Sequence, residues 1–274
     1  MVVLQCRIDR RNNNTPILSN KEIDHFAHAV LTDYKPSLLE EPSKINFEHF
    51  LETYLGVAVL YLNIYHEEDK PPILGVTAFN DGYLKIFDRE NMCVSTVPIA
   101  ANTVVIDSSL MENGESGRAM FTGLHEAGHF MMHRGVYAPD IEGQISFIEA
   151  ELSPVLSCRR DSIAEFSPNP WGISTKTPAE WREYHANYFA AAIAMPNATF
   201  RPFVQNLLRQ HDFRKGQIIT GYDEDFDYLA EELIPTELSE VYGVSKQAAF
   251  IKLKQSGFVL NKKSHALKEA QLAF

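Results

Sequence analysis

The chain has few cysteines, and those few are scattered. Cys6, Cys93 and Cys158 are odd in number and lie far apart, so they provide neither a disulfide framework nor a Cys-x-x-Cys metal site. Such sparse cysteine is typical of a reducing compartment, and we expect a cytoplasmic protein. The cysteine content therefore excludes a small disulfide-stabilised fold and a zinc site built from cysteine pairs.

Long apolar runs and an excess of basic residues are also missing. No segment approaches the run of about eighteen apolar residues that a membrane span needs. Only Val2-Val3-Leu4 precedes the first arginines, which does not resemble a signal peptide. Lysine and arginine number 25 against 36 acidic residues, and the formal net charge is −11. We therefore expect no membrane association and no tight non-specific binding to nucleic acid, because polyanions would repel the chain.

The sequence does contain the run His125-Glu126-Ala127-Gly128-His129. Two imidazoles four residues apart on a helix lie on one face, one turn apart, and can bind a single metal ion. The glutamate between them is close enough to act on water at that ion, which is the H-E-x-x-H pattern of zinc metallopeptidases. The motif predicts one zinc ion bound by His125 and His129, with Glu126 as the catalytic base. Nitrogen and oxygen ligands around this core favour zinc over manganese.

The helix that carries the motif is predicted to begin after a Ser116 cap and to end before Gly135. Because glycine within a helix costs about 1 kcal/mol relative to alanine, Gly128 indicates that another backbone packs closely there. His133 continues the four-residue spacing, but eight residues separate its α-carbon from that of His125 by roughly 12 Å. A capping or surface role is therefore favoured for His133 over metal ligation.

A third ligand is needed, since catalytic zinc usually has three from the protein. No histidine follows at the H-E-x-x-H-x-x-G-x-x-H spacing, so a carboxylate on a second helix is the alternative. A helix over Thr177–Met195 is predicted, because Thr177 and Glu180 can form a capping box around a proline at the first helical position. Glu183 heads an alanine-rich stripe on this helix and is favoured as the ligand. The rival ligands are Asp140, Glu142, Glu149, Glu151 and His185.

Asn187 lies one turn beyond Glu183 on the same helix face. A ligating histidine usually donates its second ring N–H to a fixed acceptor, which sets its tautomer. We expect the side-chain carbonyl of Asn187 to accept this hydrogen bond from His125 or His129. The alternative is a hydrogen bond between Asn187 and the backbone.

The rest of the chain predicts an α+β fold with three parts. Residues 1–15 are an N-terminal extension, residues 16–205 form the catalytic domain, and residues 206–274 form a C-terminal helical region. A hairpin signal stands at Asn80-Asp81-Gly82. The segment from Val136 to Lys176 is predicted mostly as loop, either a lid or cleft wall or a disordered surface insertion. The remaining predicted elements are helices at Lys21–Tyr34 and Asn46–Leu55 and strands at Val57–Tyr65, Ile73–Phe79 and Thr103–Ile106.

The C-terminal region has a helix-turn-helix pattern. A helix ending near Tyr242 is followed by the turn residue Gly243 and the cap residue Ser245, and a second helix over Lys246–Gln255 ends at Gly257. Several lysines give the second helix some positive charge. The pattern permits DNA contact, although packing against a neighbouring domain is the more common role.

Two stretches together resemble the ImmA/IrrE family of bacterial metallopeptidases. Residues 121–129 are similar to the family pattern F-T-x-x-H-E-x-G-H, and residues 183–196 to E-x-x-A-N-x-F-A-x-x-L-L-M-P. The resemblance implies zinc ligands at His125, His129 and Glu183 and the catalytic glutamate at Glu126. It covers about residues 21–196, and the helix-turn-helix unit is similar to the tail of many members. Ala194, where leucine is usual, and His185, where Gln or Glu is commoner, depart from the pattern without touching a ligand.

The resemblance implies a small mixed or antiparallel sheet packed on a zincin-type helix pair, with a helix-turn-helix-like unit at the C-terminus. It also implies transcription regulation by proteolysis, since members often cleave a helix-turn-helix repressor from a mobile element or stress operon. One alternative is a non-proteolytic sensor that binds DNA or a transcription factor through its C-terminal region. Another is a metal-dependent hydrolase of non-peptide amides.

Overall fold

The computed structural model describes residues 2–9, 14–112, 116–137, 155–159 and 176–262. The chain divides into two compact units, one of Met1–Tyr34 with Asn46–Ile193 and one of Lys35–Ile45 with Ala194–Phe274. The boundaries that the sequence suggests, after residues 15 and 205, stay a prediction.

Helices and strands are interspersed along the first unit, which confirms the predicted α+β class. In chain order its elements are β1 (Arg7–Asp9), β2 (Thr15–Ile17), α1 (Asn20–Tyr34), α2 (Phe47–His49), β3 (Ala58–Leu62), β4 (Ile73–Ala78), β5 (Gly82–Asp88), β6 (Cys93–Ile99), β7 (Thr103–Asp107), α3 (Ser109–Glu112), α4 (Ser116–Tyr137), β8 (Val155–Arg159) and α5 (Pro178–Ala194).

The helix starts follow the capping signals of the sequence. Ser19 and Glu22 form the reciprocal bonds of a capping box at α1. Thr177 and Glu180 do the same at α5. The side chain of Asn46 accepts the N–H of His49 at α2, which continues as a π-helical turn through Tyr54. Local sequence therefore determines these three helix starts.

A mixed four-stranded sheet has the order β3-β7-β4-β8. β3 and β7 run parallel, whereas β4 runs antiparallel to β7 and to β8. β8 lies within the segment that the sequence predicts mostly as loop, so that prediction is wrong for Val155–Arg159. Pairing with β4, a partner distant in sequence, accounts for the strand. Residues 138–154 and 160–175 of this segment lie outside the described residues. The two alternatives, a lid or cleft wall and a disordered surface insertion, therefore stay predictions.

The hairpin predicted at Asn80-Asp81-Gly82 is also wrong. A turn exists there, but β5 leaves β4 and pairs antiparallel with β6 in a separate two-stranded sheet. The Asp81 carboxylate accepts the N–H of Ala101, which anchors the turn at the far end of β6. The turn that closes the hairpin follows Asp88, whose carboxylate accepts backbone N–H groups of the next residues.

α4 packs against the sheet and buries every residue from Ala119 to Phe130. Ser116 is its first helical residue rather than the cap before it. The predicted end before Gly135 is wrong, because the helix continues to Tyr137. The Tyr137 ring stacks 5.1 Å from that of Phe79, and this packing stabilises the extra turn.

The second unit contains the predicted helix-turn-helix pattern. Gly243 follows α8 (Ile234–Tyr242) in the left-handed conformation with φ of +66°. Ser245 caps α9 (Lys246–Gln255) by accepting the N–H of Ala248. The elements of this unit are α6 (Asn197–Gln210), β9 (Ile218–Thr220), α7 (Glu224–Tyr228), α8 (Ile234–Tyr242), α9 (Lys246–Gln255) and β10 (Val259–Asn261). Within the described ranges, none of the helices has the length and apolar character to cross a membrane.

Candidate metal centre

Two imidazoles from α4 and one carboxylate from α5 meet at one point. The Nε2 atoms of His125 and His129 are 2.9 Å apart. The Glu183 carboxylate places Oε2 3.4 Å from Nε2 of His125 and Oε1 3.3 Å from Nε2 of His129. The structure thus brings together the three residues that the sequence predicts as metal ligands.

The close approach of α5 to α4 depends on small residues. A β-carbon added to Gly128 would lie 3.0 Å from the α-carbon of Ala186 and 3.2 Å from its carbonyl oxygen. Such contacts are tighter than backbone atoms normally tolerate. The expectation that another backbone packs at Gly128 is confirmed, and this contact brings Glu183, one turn earlier on α5, over the histidines.

Burial and charge favour the ligating forms of these side chains. His125 and His129 are fully buried, whereas the side chain of Glu183 keeps 26% of its exposure. Burial lowers the pKa of His129, so its ring is neutral at pH 7. Burial raises the pKa of Glu183, but the charge and hydrogen bonds that the two imidazoles supply when protonated outweigh burial, so its pKa lies below the usual range. The carboxylate is therefore anionic at neutral pH, as ligation to a metal ion requires.

Asn187 fixes the orientation of His125. Its side-chain Oδ1 lies 2.9 Å from Nδ1 of His125. Because an amide oxygen only accepts, Nδ1 carries the proton and Nε2 presents a lone pair to the cluster.

The donor set is compatible with a metal ion. In tetrahedral zinc sites with bonds of about 2.0–2.1 Å, neighbouring ligand atoms lie roughly 3.3 Å apart. The separations of 2.9, 3.3 and 3.4 Å among the three donors are close to that value. A buried lone pair of His125 also faces a second imidazole nitrogen, an arrangement that a cation would stabilise. The residues present thus fit the ion that the sequence motif predicts.

Glu126 lies against strand β4 and is completely buried. Thr77 donates its hydroxyl to Oε2 of Glu126, while Oε1 has no hydrogen-bond partner among the described residues. Gly75 leaves room for this carboxyl group, because a β-carbon there would lie 2.7 Å from Oε1. Burial raises the pKa of Glu126 to about 7, against the opposing effects of His125 and Thr77. A carboxyl group with that pKa can exchange a proton near neutral pH.

Other residues near the cluster differ from the sequence interpretation. His133 is fully buried, so the capping or surface role is wrong, and its Nδ1 lies 2.9 Å from Nδ1 of His129. His185 is buried with its ring 5.8 Å from that of His133, and it is not one of the three clustered donors. The other rival ligands, residues 140, 142, 149 and 151, lie outside the described residues.

Two contacts to Glu126 were not predicted from sequence. Thr77 and Gly75 lie on a strand about fifty residues before the motif, and no local pattern links them to it. The contact of His133 with His129 does have a sequence signal. His133 repeats the four-residue spacing of the two motif histidines and therefore shares their helix face.

The family model of the IrrE N-terminal-like domain, Peptidase_M78, matches residues 171–254. The match supports an ImmA/IrrE-type family assignment. That assignment in turn supports a metallopeptidase-type function. The matched residues include Glu183 but not the two motif histidines, so the geometry of the cluster adds an observation independent of the match. A search of curated proteins found no match to the chain.

Proposed function

We propose that this protein is a zinc-dependent endopeptidase. The observation that carries the proposal is the convergence of His125, His129 and Glu183 beside the buried carboxyl group of Glu126. Two neutral imidazoles and one carboxylate leave a fourth position open in a tetrahedral site, which is the arrangement of catalytic rather than structural zinc.

The residues have distinct roles in the proposed reaction. When bound, zinc supplies Lewis acidity, which polarises a peptide carbonyl and makes water a stronger nucleophile at neutral pH. Glu126 takes the proton of the attacking water and passes it to the leaving amine nitrogen. Thr77 holds one oxygen of that carboxylate, which leaves the other for the proton.

Three polar side chains of α5 that could stabilise an oxyanion have other contacts. The hydroxyl of Tyr184 contacts Asn20, and that of Tyr188 donates to Asp24 at 3.1 Å, so both are engaged with the start of α1. The ring of His185 packs beside that of His133.

The proposed substrate is a partner protein, a helix-turn-helix transcriptional repressor, and the proposed role is the regulation of transcription by its cleavage. The support for this substrate is the family resemblance of residues 121–129 and 183–196. The chemistry of the cluster supports peptide hydrolysis without selecting a sequence to be cut.

Comparison of the wild-type protein with Glu126→Gln tests the proposal, because the substitution removes the base and keeps the three ligands. Elemental analysis should find one zinc per chain in both proteins. Wild-type protein should cleave members of a peptide library made by digesting a proteome, and the variant should lose at least about 100-fold of that activity. Full activity of the variant, or a zinc-loaded wild-type protein that cleaves nothing, would contradict the proposal.

The substrate class has its own test. A helix-turn-helix repressor from the same genome is co-expressed with the wild-type protein and with Glu126→Gln, and the products are identified by mass spectrometry. A clipped repressor with the wild type alone supports regulatory proteolysis. An intact repressor, combined with cleavage of library peptides, would retain the peptidase and reject this substrate.

A second candidate function is binding of DNA through the α8–turn–α9 unit, and its helix-turn-helix geometry favours this reading. The lysines of α9 have other contacts, since Lys246 pairs with Glu232, Lys252 is buried, and Lys254 lies 4.7 Å from the Phe250 ring. A mobility-shift assay at increasing salt is the test. Phosphate-driven binding weakens steeply as salt rises, and absence of a complex even at low salt would reject this function.

A further inference from the structure

His133 lies directly behind the candidate metal centre, one helical turn after His129. Its side chain is fully buried, and its Nδ1 lies 2.9 Å from Nδ1 of His129. At that distance one of the two nitrogens donates a hydrogen bond and the other accepts it. The direction of this bond determines which nitrogen of His129 carries a proton.

Metal binding requires one of the two directions. A neutral His129 can offer its Nε2 lone pair to an ion only if the ring proton sits on Nδ1. That proton then points at Nδ1 of His133, which must accept it, so His133 carries its own proton on Nε2. Only a neutral His133 can accept that proton, because both ring nitrogens of a protonated imidazole are donors.

The same arrangement exists at the other imidazole. Nδ1 of His125 lies 2.9 Å from Oδ1 of Asn187. An amide oxygen can only accept a hydrogen bond, so Nδ1 of His125 is the donor. The two cluster histidines therefore each have an acceptor on Nδ1, one supplied by α5 and the other by α4 itself. Hydrogen bonds of this kind raise the basicity of the ligating nitrogen and fix the ring orientation.

The ring of His133 is held by packing. It lies 5.8 Å from the ring of His185 at an interplanar angle of 25°, and its Nε2 has no hydrogen-bond partner among the described residues. The bond to His129 is the only side-chain hydrogen bond of His133 within the described ranges. A fully buried imidazole with this single polar contact is difficult to explain by packing alone, because burying an unpaired ring nitrogen costs free energy.

We propose that His133 is a positioning residue that holds His129 in the tautomer that binds the metal. This role rests on the metal site of the proposed function and makes no statement about the substrate. His133 would not bind the ion itself, because it contacts Nδ1 of His129 and the other ring nitrogen, Nε2, faces the cluster.

Zinc affinity and histidine NMR spectra test this role without measuring catalysis. His133→Phe keeps an aromatic ring and removes the acceptor, and His133→Asn restores an acceptor oxygen. We expect His133→Phe to weaken zinc binding roughly 10- to 100-fold in competition with a chelator, and His133→Asn to recover part of the loss. In the zinc-loaded protein the Nδ1–H proton of His129 should be shifted downfield by its hydrogen bond, and His133→Phe should remove that shift.

His185→Phe is the matched control, because it changes the packing of the His133 ring and leaves the bond to His129 in place. It should bind zinc with nearly wild-type affinity. Circular dichroism establishes that each variant is folded, and His133→Asn keeps the test decisive if His133→Phe fails to fold. Wild-type zinc affinity and an unchanged His129 signal in His133→Phe would overturn the role, as would equal losses in His133→Phe and His185→Phe. A wild-type protein that binds zinc and hydrolyses nothing would overturn the peptidase instead, while these affinity and NMR readouts still decide the role of His133.

Discussion

Gly128 of α4 and Ala186 of α5 approach each other so closely that a methyl group between the two helices would make abnormally tight contacts. A β-carbon on Gly128 would lie 3.0 Å from the α-carbon of Ala186 and 3.3 Å from a ring carbon of Phe189. The first of these atoms is helix backbone and cannot move alone. This contact sets the distance between the helix that bears the two imidazoles and the helix that bears the carboxylate of Glu183.

Gly128→Ala should therefore displace α5 and weaken metal binding. Helix propensity alone would favour alanine by about 1 kcal/mol, but the backbone contact outweighs this gain. We expect a lower midpoint of thermal unfolding and a weaker zinc affinity, measured by competition with a chelator. Gly135→Ala is the control, because it lies in the same helix with nothing within 4 Å of its added carbon, and it should be neutral or stabilising. Equal behaviour of the two variants would reject the role of this contact.

Asn187→Leu should reduce zinc affinity about 10- to 100-fold, since it removes the acceptor that orients His125. Asn187→Asp keeps an oxygen at the same position and should retain most of the affinity. The dissociation constants of the three proteins, measured with the same chelator, check this expectation. Equal dissociation constants for the leucine and aspartate variants would show that the hydrogen bond between Asn187 and His125 does not contribute to zinc affinity.

Thr77→Val should shift the pH profile of hydrolysis. The Thr77 hydroxyl stabilises the ionised form of Glu126 and so opposes the rise of its pKa that burial causes. Without that hydrogen bond the pKa of Glu126 rises further, and the base form becomes populated only at higher pH. The acid limb of the activity profile should move to higher pH in Thr77→Val and stay in place in Thr77→Ser, which keeps a hydroxyl. Coincident acid limbs for Thr77→Val and the wild type would contradict this role of Thr77.

Tyr242→Phe should change how stability depends on alkaline pH. The Tyr242 hydroxyl is buried and donates to Thr199, and burial raises the pKa of Tyr242 from 10.0 to about 12. Between these values the unfolded chain releases the proton while the folded chain keeps it, so stability falls as pH rises. The loss attributable to Tyr242 is about 2 to 3 kcal/mol over this window. Urea unfolding at pH 10 and pH 12 should show a smaller decline for Tyr242→Phe, and equal declines would refute the prediction.

Residue order alone predicts the features that depend on local chemistry. The capping boxes at Ser19 and Thr177 fix where α1 and α5 begin, because each is completed within four residues. The spacing of His125 and His129 places both imidazoles on one helix face whatever the rest of the fold does. The helix-turn-helix pattern is equally local, since Gly243 and Ser245 carry its turn and its cap.

Contacts with partners distant in sequence arise only in the folded chain. β8 exists because β4 pairs with it, and β5 pairs with β6 because the Asp81 turn is anchored beyond β6. The contacts of Thr77 and Gly75 with Glu126 join residues about fifty positions apart, and no local pattern encodes such a contact. The sequence favoured Glu183 over its rivals, but only the packing of Gly128 on Ala186 brings that carboxylate within 3.4 Å of the imidazoles. A hydrogen bond closed within one helical turn can be predicted from residue order, whereas the direction of a side chain across two packed helices follows from how closely their surfaces fit.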